Sequence, residues 1–226
     1  MTTSRDLVRA AREAGLNFVS QSQDKLAPET RALHRRVLQA FLDTGAAPTV
    51  GWLHAQGTHL GFDPEAALRE LAEEDMVHLE NGSVVVAYPF SGVPANDSVQ
   101  LEDGPLLHAM CAIDALGIPL MTGRDGVIYS TDPRTGQVIR IRRNGTDWEW
   151  SPASTVVVAG FARACSTAAE ACCPHVAFYA STEGADAYLG AHPELSGAVL
   201  DHAEALETAD LAFGSLLYTS ESEPKL

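Results

Sequence analysis

The residues best suited to chemistry lie between His108 and Gly117, where the thiol of Cys111 stands three positions before the carboxylate of Asp114. Residues at positions i and i+3 share one face of a helix, so the two side chains would point into the same small volume. The rest of the segment is apolar, and Gly117 and Pro119 are expected to end the helix. An unpaired carboxylate is costly to bury. Such a group tends to be protonated or to have a function. The alternative is a buried helix with a small cysteine and an aspartate at its polar edge.

A second thiol site follows much later in the chain. Cys172 and Cys173 precede Pro174 and His175, next to a predicted strand from Val176 to Ser181. Thiolates prefer soft metal ions, and a carboxyl group beside a thiol can transfer a proton. This combination suits protonolysis of a carbon–mercury bond. One thiolate would bind the metal, a second would weaken the bond, and a proton would reach the leaving carbon.

Three motifs give the chain a resemblance to the organomercurial (alkylmercury) lyase family, in order and spacing from about Tyr88 to Ala187. They are YPFS at 88–91, MCAIDALG at 110–117 and CPHVAFYAS at 173–181. The resemblance implies that Cys111, Asp114 and Cys173 are catalytic, with Asp114 mediating proton transfer. It also implies that these three residues, with Cys172 as an auxiliary candidate, bind Hg(II) as product.

The resemblance further implies no built-in cofactor. Free thiols would act as co-reactants, and external thiols or mercuric reductase would accept the Hg(II). Two positions depart from the family pattern. Asp132 stands where some members carry a further cysteine, and Pro174 stands where the double cysteine of some relatives ends. Proline restricts the preceding residue to extended backbone, which favours Cys173 over Cys172 as the working thiol. The role of Cys165 stays open.

Composition narrows the class of partners. The 226-residue chain has a net charge of −15, which disfavours nucleic acid and anionic membranes. It contains no apolar run long enough to cross a membrane. The four cysteines do not have the spacing of a disulfide framework or a structural zinc site. Without the pattern of a secretory signal, a cytoplasmic location is expected.

The N-terminal third predicts helices followed by a hairpin. Helices are expected at Ser4–Ser20, from Pro28 to Gly45, and from Asp63 to about Asp75, with a short element at 50–56. The Asn-Gly pair at 81–82 would join two strands. This order is typical of a winged helix, which suggests a DNA-binding regulator. However, the candidate recognition helix at 63–75 carries six acidic residues against one arginine, the reverse of a phosphate-binding surface.

The whole chain is predicted to be α+β. A winged-helix-like helical domain would occupy residues 1–90, and a lyase core with a mixed or antiparallel sheet and flanking helices would occupy 91–218. A flexible tail would follow at 219–226. The turn-rich stretch from Pro89 to Asp103 is the expected boundary and a candidate cover for the site. Strands are expected at 126–130, 137–143 and 155–159, with helices at 163–171, 183–189 and 193–213.

For other classes of function, the characteristic sequence motifs are absent or the support is weaker. There is no GxSxG elbow, P-loop or GxGxxG. Cys-His catalysis through His108 or His175 is conceivable, although a histidine near an apolar strand is more often a hydrogen-bonded core residue. A lyase-like protein that carries copper or mercury without cleaving a bond is the main alternative. The organic group could be accepted by apolar residues that would otherwise serve as core: Met110, Ile113, Leu120 and Phe178.

Overall fold

The structure is a computed structural model that describes residues 19–61, 63–81, 83–162 and 167–217. The predicted tail at 219–226 lies outside these residues, as do Cys165 and nearly all of the predicted helix at Ser4–Ser20. Within the described ranges no helix is both long and apolar enough to cross a membrane.

Four helices open the described chain, and their ends follow local signals. Pro28 occupies the first turn of the second helix, and Gly45 ends it in the left-handed conformation at φ 71°. The side chain of Asp63 caps the fourth helix by accepting a hydrogen bond from Glu65 N. The predicted helices that begin at Pro28 and Pro64 are therefore confirmed. The helices are α1 (Val19–Lys25), α2 (Pro28–Thr44), α3 (Val50–Leu60) and α4 (Pro64–Glu73).

The main sheet has eight antiparallel strands in the order β1-β2-β3-β5-β4-β6-β7-β8. The hairpin predicted around Asn81 is its first pair. The strands expected at 126–130 and 137–143 are present at 126–131 and 138–144, and they pair with each other across turn residues. The strands are β1 (Val77–Glu80), β2 (Ser83–Ala87), β3 (Phe90–Ser91), β4 (Asp97–Leu101), β5 (Leu106–Ala109), β6 (Gly126–Thr131), β7 (Val138–Asn144) and β8 (Asp147–Ser151).

The hairpin of β1 and β2 is continuous with the rest of the sheet. β2 pairs with β3, and Phe90 of β3 pairs with Ala109 of β5. The ring of Phe90 also stacks on Phe41 of α2 at a centroid distance of 5.0 Å. Helices followed by a hairpin agree with the order expected of a winged helix, but that assignment and a boundary at residue 90 remain predictions.

The stretch from Pro89 to Asp103 is more regular than expected. It contains β3 and β4, and β4 lies in the sheet between β5 and β6. Asp97, Val99 and Leu101 are buried, while Ser98 and Gln100, which alternate with them, are half-buried. This alternation is a strand signal that the surrounding polar and turn residues concealed. Residues 92–96 and the turns at 89 and 102–103 fit the expectation of an irregular segment.

A second sheet of three antiparallel strands has β9 (Val156–Phe161) between β10 (Val176–Tyr179) and β11 (Ser196–Leu200). The prediction of a helix over 193–213 is wrong in its first half, because 196–200 pairs with β9. A capping box between Asp201 and Glu204 then starts the last helix. The helices of this part are α6 (Ala168–Ala171), α7 (Thr182–Ala191) and α8 (His202–Phe213).

The helix that follows Cys111 also differs from expectation. Leu106 and Leu107 belong to β5, and the helix α5 (Ala112–Thr122) runs through Gly117 and Pro119 instead of stopping there. Gly117 is needed for close packing, since an added Cβ would lie 2.3 Å from the ring of Phe213 on α8. Burial of nearly the whole of α5 thus outweighs the local signal of two helix breakers.

Asp132 connects the two sheets at the position where some family members carry a cysteine. Its Oδ1 accepts hydrogen bonds from Arg134 N and Thr135 N, and its Oδ2 accepts one from Ala180 N at 2.8 Å, just beyond β10. The residue is only 2% exposed. Burial alone would raise the pKa of this carboxyl, but the backbone hydrogen bonds outweigh it and hold the pKa below its ordinary value.

Asp132→Asn is expected to lower the free energy of unfolding by about 1–3 kcal/mol, because an amide NH₂ would replace an oxygen that accepts an N–H. A depressed folded-state pKa contributes stability above the unfolded value of about 3.9, and this contribution is lost as pH falls through the folded value. The difference between wild type and variant should therefore shrink below about pH 4. Urea unfolding at pH 7 and pH 3.5 measures it, with the exposed Asp186→Asn as control. An equal difference at both pH values would contradict this role.

Candidate active site

Cys111 lies at the junction between β5 and α5, as the N-cap residue of the helix. Its backbone is extended, with φ −159°, and its C=O accepts a hydrogen bond from Ala115 N at 2.9 Å. Asp114 sits in the first helical turn, so its side chain folds back toward the N-cap as the third residue of a capping box does. The two side chains therefore meet as predicted, but around the start of a helix and not along the face of one.

The thiol of Cys111 donates a hydrogen bond to Oδ2 of Asp114 at 2.5 Å. Both residues are buried, with Cys111 6% and Asp114 3% exposed. A buried carboxyl group that accepts a hydrogen bond from a thiol is unusual, because carboxylates in proteins are normally paired with cations or with several N–H donors.

Cys173 lies in the connection between β9, the central strand of the small sheet, and β10, one of its outer strands. It begins a 3₁₀ turn, Cys173–His175, that leads into β10. The expectation that Pro174 would hold Cys173 in an extended strand entry is wrong, because this turn is closed by a hydrogen bond from His175 N to Cys172 O at 2.8 Å.

The fold brings together the three predicted site residues. Sγ of Cys111, Sγ of Cys173 and a carboxylate oxygen of Asp114 all lie within 4.8 Å of one another. Among the described residues Cys172 is outside this group, and Cys111 and Cys173 are free thiols. The half-buried Cys173 is the member of the trio closest to solvent. Two sulfurs and one oxygen at this spacing can surround a single soft metal ion.

Burial and neighbouring charges favour the protonated forms of Cys111, Asp114 and Cys173, the three residues of the trio. Burial raises the pKa of the Cys111 thiol well above its ordinary value, and the neighbouring Cys173 and Asp114 raise it further. Burial also raises the pKa of Asp114 to about 7, against a smaller lowering by the hydrogen bond from Cys111. The carboxyl group can therefore hold or release a proton near neutral pH.

Cys173 balances opposing influences. The hydrogen bond with Cys111 lowers the pKa of its thiol, whereas burial and the charges of Asp114 and Asp75 raise it, and the result lies above the ordinary value. Among the described residues, no cation shifts the pKa values of the three site residues. An incoming cationic metal would supply the positive charge that stabilises two thiolates.

The apolar residues proposed to accept an organic group are all part of the main hydrophobic core or packed against it. Ile113 and Phe178 are buried, and the ring of Phe178 packs edge-on against Trp150. Met110 and Leu120 are only partly buried. Packing accounts for Phe178, so Met110, adjacent to Cys111, is the better candidate for contact with an organic group.

Neither histidine of the Cys-His alternative is hydrogen-bonded to a thiol. Nδ1 of His108 accepts a hydrogen bond from Ala95 N at 3.4 Å, and Nδ1 of His175 is paired with the hydroxyl of Tyr188 at 2.9 Å. These contacts match the interpretation of both residues as hydrogen-bonded structural histidines.

Tyr88 belongs to the site's surroundings, although sequence reasoning used it only as part of a family motif. It is 2% exposed, and its hydroxyl faces the backbone of Ala169 without forming a well-aligned hydrogen bond. Burial raises the pKa of this phenol, and the charges of Cys173, Asp75 and Asp114 raise it further. Tyr88 is thus a neutral group close to the trio. The YPFS motif was the sequence signal that could have identified it as part of the site's surroundings.

Comparison with known proteins decides the family. A family model described as alkylmercury lyase matches residues 90–214, which include all three residues of the trio. The chain belongs to the alkylmercury lyase family. The resemblance seen in the three sequence motifs is thereby confirmed, and members of this family cleave carbon–mercury bonds.

Two relatives support the assignment. An alkylmercury lyase of Staphylococcus epidermidis is 31% identical over 176 residues, which cover 70% of this chain and 81% of that protein. The crystal structure of the mercury-bound form of MerB2 superposes with a TM-score of 0.72 at 23% identity, covering 89% of this chain and 97% of that one. The second comparison shows that the α+β fold of the family extends over most of this chain.

Proposed function

We propose that this alkylmercury lyase family member cleaves the carbon–mercury bond of organomercurials by protonolysis, with Cys111, Asp114 and Cys173 in direct contact with the substrate. The observation that carries the proposal is the buried cluster of two sulfurs and one carboxyl oxygen within 4.8 Å. Two thiols alone would suffice to bind mercury. The acid beside them supplies what the cleavage needs in addition, a proton held close to the metal-bound carbon.

The reaction balances with groups already in the site. An organomercurial arriving as a thiolate complex, R–Hg–SR′, exchanges SR′ for one cysteine sulfur and releases R′SH. The second cysteine adds its sulfur to mercury, and Asp114 takes its proton. Asp114 then transfers that proton to the carbon as the carbon–mercury bond breaks. The products are the hydrocarbon R–H and Hg(II) held by Cys111 and Cys173.

The protonation states of Cys111, Asp114 and Cys173 fit this order of reaction steps. Both thiols enter as neutral S–H groups, so the two protons that appear in R–H and R′SH are present at the start. With a pKa raised to about 7, Asp114 can accept a thiol proton and return it at neutral pH. Apolar surroundings strengthen the attraction between thiolate and metal.

Product release requires partners outside the chain. Hg(II) bound by two thiolates and Asp114, with Cys172 as an auxiliary ligand, would be removed by small free thiols, which act as co-reactants, or by mercuric reductase. The scheme needs no built-in cofactor. Small thiols are abundant in a reducing compartment, which fits the reduced cysteines and the expected cytoplasmic location.

The competing function is capture of mercury or copper without bond cleavage. Incubation of the protein with phenylmercury and excess thiol distinguishes the two, since cleavage releases benzene that gas chromatography can quantify. Catalytic release of benzene, beyond one equivalent per protein, is expected. Stoichiometric binding of phenylmercury with no benzene would instead establish a carrier.

The winged-helix regulator is a weaker alternative, and we expect no duplex DNA affinity tighter than about 10⁻⁴ M at physiological salt. The reason is the acidity of α4, where Glu65, Glu70 and Glu73 accompany Arg69. Glu70 is moreover engaged with Ala27 N and the Thr30 hydroxyl. Fluorescence anisotropy with a labelled duplex tests this, with an established DNA-binding protein as positive control. A salt-sensitive increase at micromolar protein would contradict it.

A further inference from the structure

We propose that Asp75, in the turn between α4 and β1, is a positioning residue that holds the segment carrying Cys173 against Cys111. The inference rests on the proposed two-thiol site. It assigns to the N-terminal region a direct part in the assembly of that site.

The contact that carries the inference spans most of the chain. Oδ2 of Asp75 accepts a hydrogen bond from the backbone N–H of Ala168 at 2.7 Å, across 93 positions of sequence. Ala168 is the first residue of α6, and a single turn later its own C=O accepts a hydrogen bond from Cys172 N at 2.9 Å. Two consecutive hydrogen bonds therefore lead from Asp75 to the backbone immediately before Cys173.

The carboxylate of Asp75 is itself oriented by a second partner. Its Oδ1 pairs with Nε2 of His78 at 2.5 Å, and the His78 ring packs edge-on against the buried ring of Tyr88. One carboxylate oxygen therefore bonds to His78 and the other to Ala168 N. The side chain is 30% exposed, so its fixed direction comes from these two hydrogen bonds and not from tight burial.

The backbone of Asp75 is also set for this task. Its φ of 56° places it in the left-handed region, which few residues other than glycine, asparagine and aspartate adopt readily. A residue that accepts this conformation and also provides a side-chain acceptor must be aspartate or asparagine. A turn formed only to connect α4 to β1 would be served equally well by glycine.

Cys173 needs such support more than Cys111 does. Cys111 is fixed between β5 of the main sheet and the buried helix α5, whereas Cys173 follows a helix of four residues. A displacement of the order of 1 Å between reacting groups can lower a rate by roughly 10²-fold. Asp75 lies outside residues 90–214, where the family model matches, so family membership alone does not assign it a role.

Two substitutions separate the hydrogen bond from other effects of Asp75. Asp75→Gly removes the side chain without straining the left-handed backbone, and we expect turnover of phenylmercury to fall about 10-fold or more. Asp75→Asn keeps an oxygen for Ala168 N, accepts the same backbone and removes the charge. We expect it to retain most of the wild-type rate.

A matched control removes another capping carboxylate from the same region. Asp63→Ala deletes the N-cap of α4, which costs about 1 kcal/mol of stability, and it leaves the Asp75–Ala168 contact in place. Its turnover should equal that of wild type. Loss of turnover in Asp63→Ala to the same extent as in Asp75→Gly would reduce Asp75 to a general contributor to stability.

The distance between the two thiols provides a readout that does not depend on catalysis. In a Cys172→Ser background, oxidation by diamide joins Cys111 and Cys173 in a disulfide as diamide is reduced to its hydrazine, and peptide mass spectrometry measures the rate. We expect Asp75→Gly to slow this crosslink several-fold and Asp75→Asn to restore it. Equal rates in all three proteins, or an asparagine variant as slow as the glycine variant, would overturn the proposal. A wild type that crosslinks readily yet releases no benzene would refute the proposed function alone.

Discussion

Cys111→Ala and Cys173→Ala should each lower hydrocarbon release from phenylmercury by about 10³-fold or more. The reason is that both sulfurs must act on one metal ion, and residues that work as a unit lose most of their effect when either is removed. In the structure the two sulfurs and Asp114 form one group within 4.8 Å, and no further thiol of the described residues belongs to that group. Benzene release under excess thiol, measured at equal concentrations of folded protein, gives the comparison.

Cys172→Ser is the matched control for Cys173→Ser, because the two positions are adjacent and the substitution is the same. Cys172 is not among the three grouped residues, so we expect its variant to retain a substantial fraction of wild-type turnover while Cys173→Ser loses it. Circular dichroism should show both variants folded. The reverse pattern would make Cys172 the partner of Cys111 and the motif alignment wrong by one position.

Asp114→Asn should slow carbon–mercury cleavage by roughly 10²–10⁴-fold, the usual contribution of a positioned proton donor. The amide preserves the size of the side chain and can still accept a hydrogen bond from Cys111, but it cannot take up and return a proton. Capture of phenylmercury by the thiols should therefore persist. Rapid-quench single-turnover experiments separate the capture of mercury from the release of benzene.

A second measurement tests whether slower cleavage in Asp114→Asn could come from weaker mercury binding. Bound mercury per protein, determined after removal of free phenylmercury, should be the same in Asp114→Asn and wild type. If the variant instead cleaves at the wild-type rate in a single turnover, Asp114 is a structural neighbour of Cys111 and some other group supplies the proton.

The sequence predicted the site better than it predicted the elements around it. Cys111 and Asp114 meet because a spacing of three residues brings side chains together both along a helix and at its N-terminus, so an error in the helix start did no harm. The convergence of Cys173 could be inferred only from the family resemblance. Pairing between residues so distant in the chain has no local signal.

The errors have a common physical origin in tertiary contacts. Gly117 and Pro119 are valid local stop signals, yet they are overridden because α5 packs closely against Phe213 of α8. Strand β4 was not predicted because it contains polar residues such as Asp97 and Gln100. It is nevertheless an interior strand of the sheet, with a paired strand on each side. The contact between Asp75 and Ala168 joins two segments that share no pattern. By contrast, capping and turn residues predicted α2, α4 and the first hairpin well, since those signals act over a few residues.

The continuity of the main sheet across residue 90 limits how the chain can be shortened. A fragment beginning at residue 90 would lose β2, leaving the short β3 as an exposed edge strand, and Phe90 would lose its aromatic cover from Phe41. Unpaired edges and exposed aromatic rings promote association between copies. Such a fragment should elute from size-exclusion chromatography as aggregates, whereas the full chain gives a discrete peak. The part of the chain that the family model matches, residues 90–214, is thus smaller than the part that must be expressed to obtain a usable enzyme.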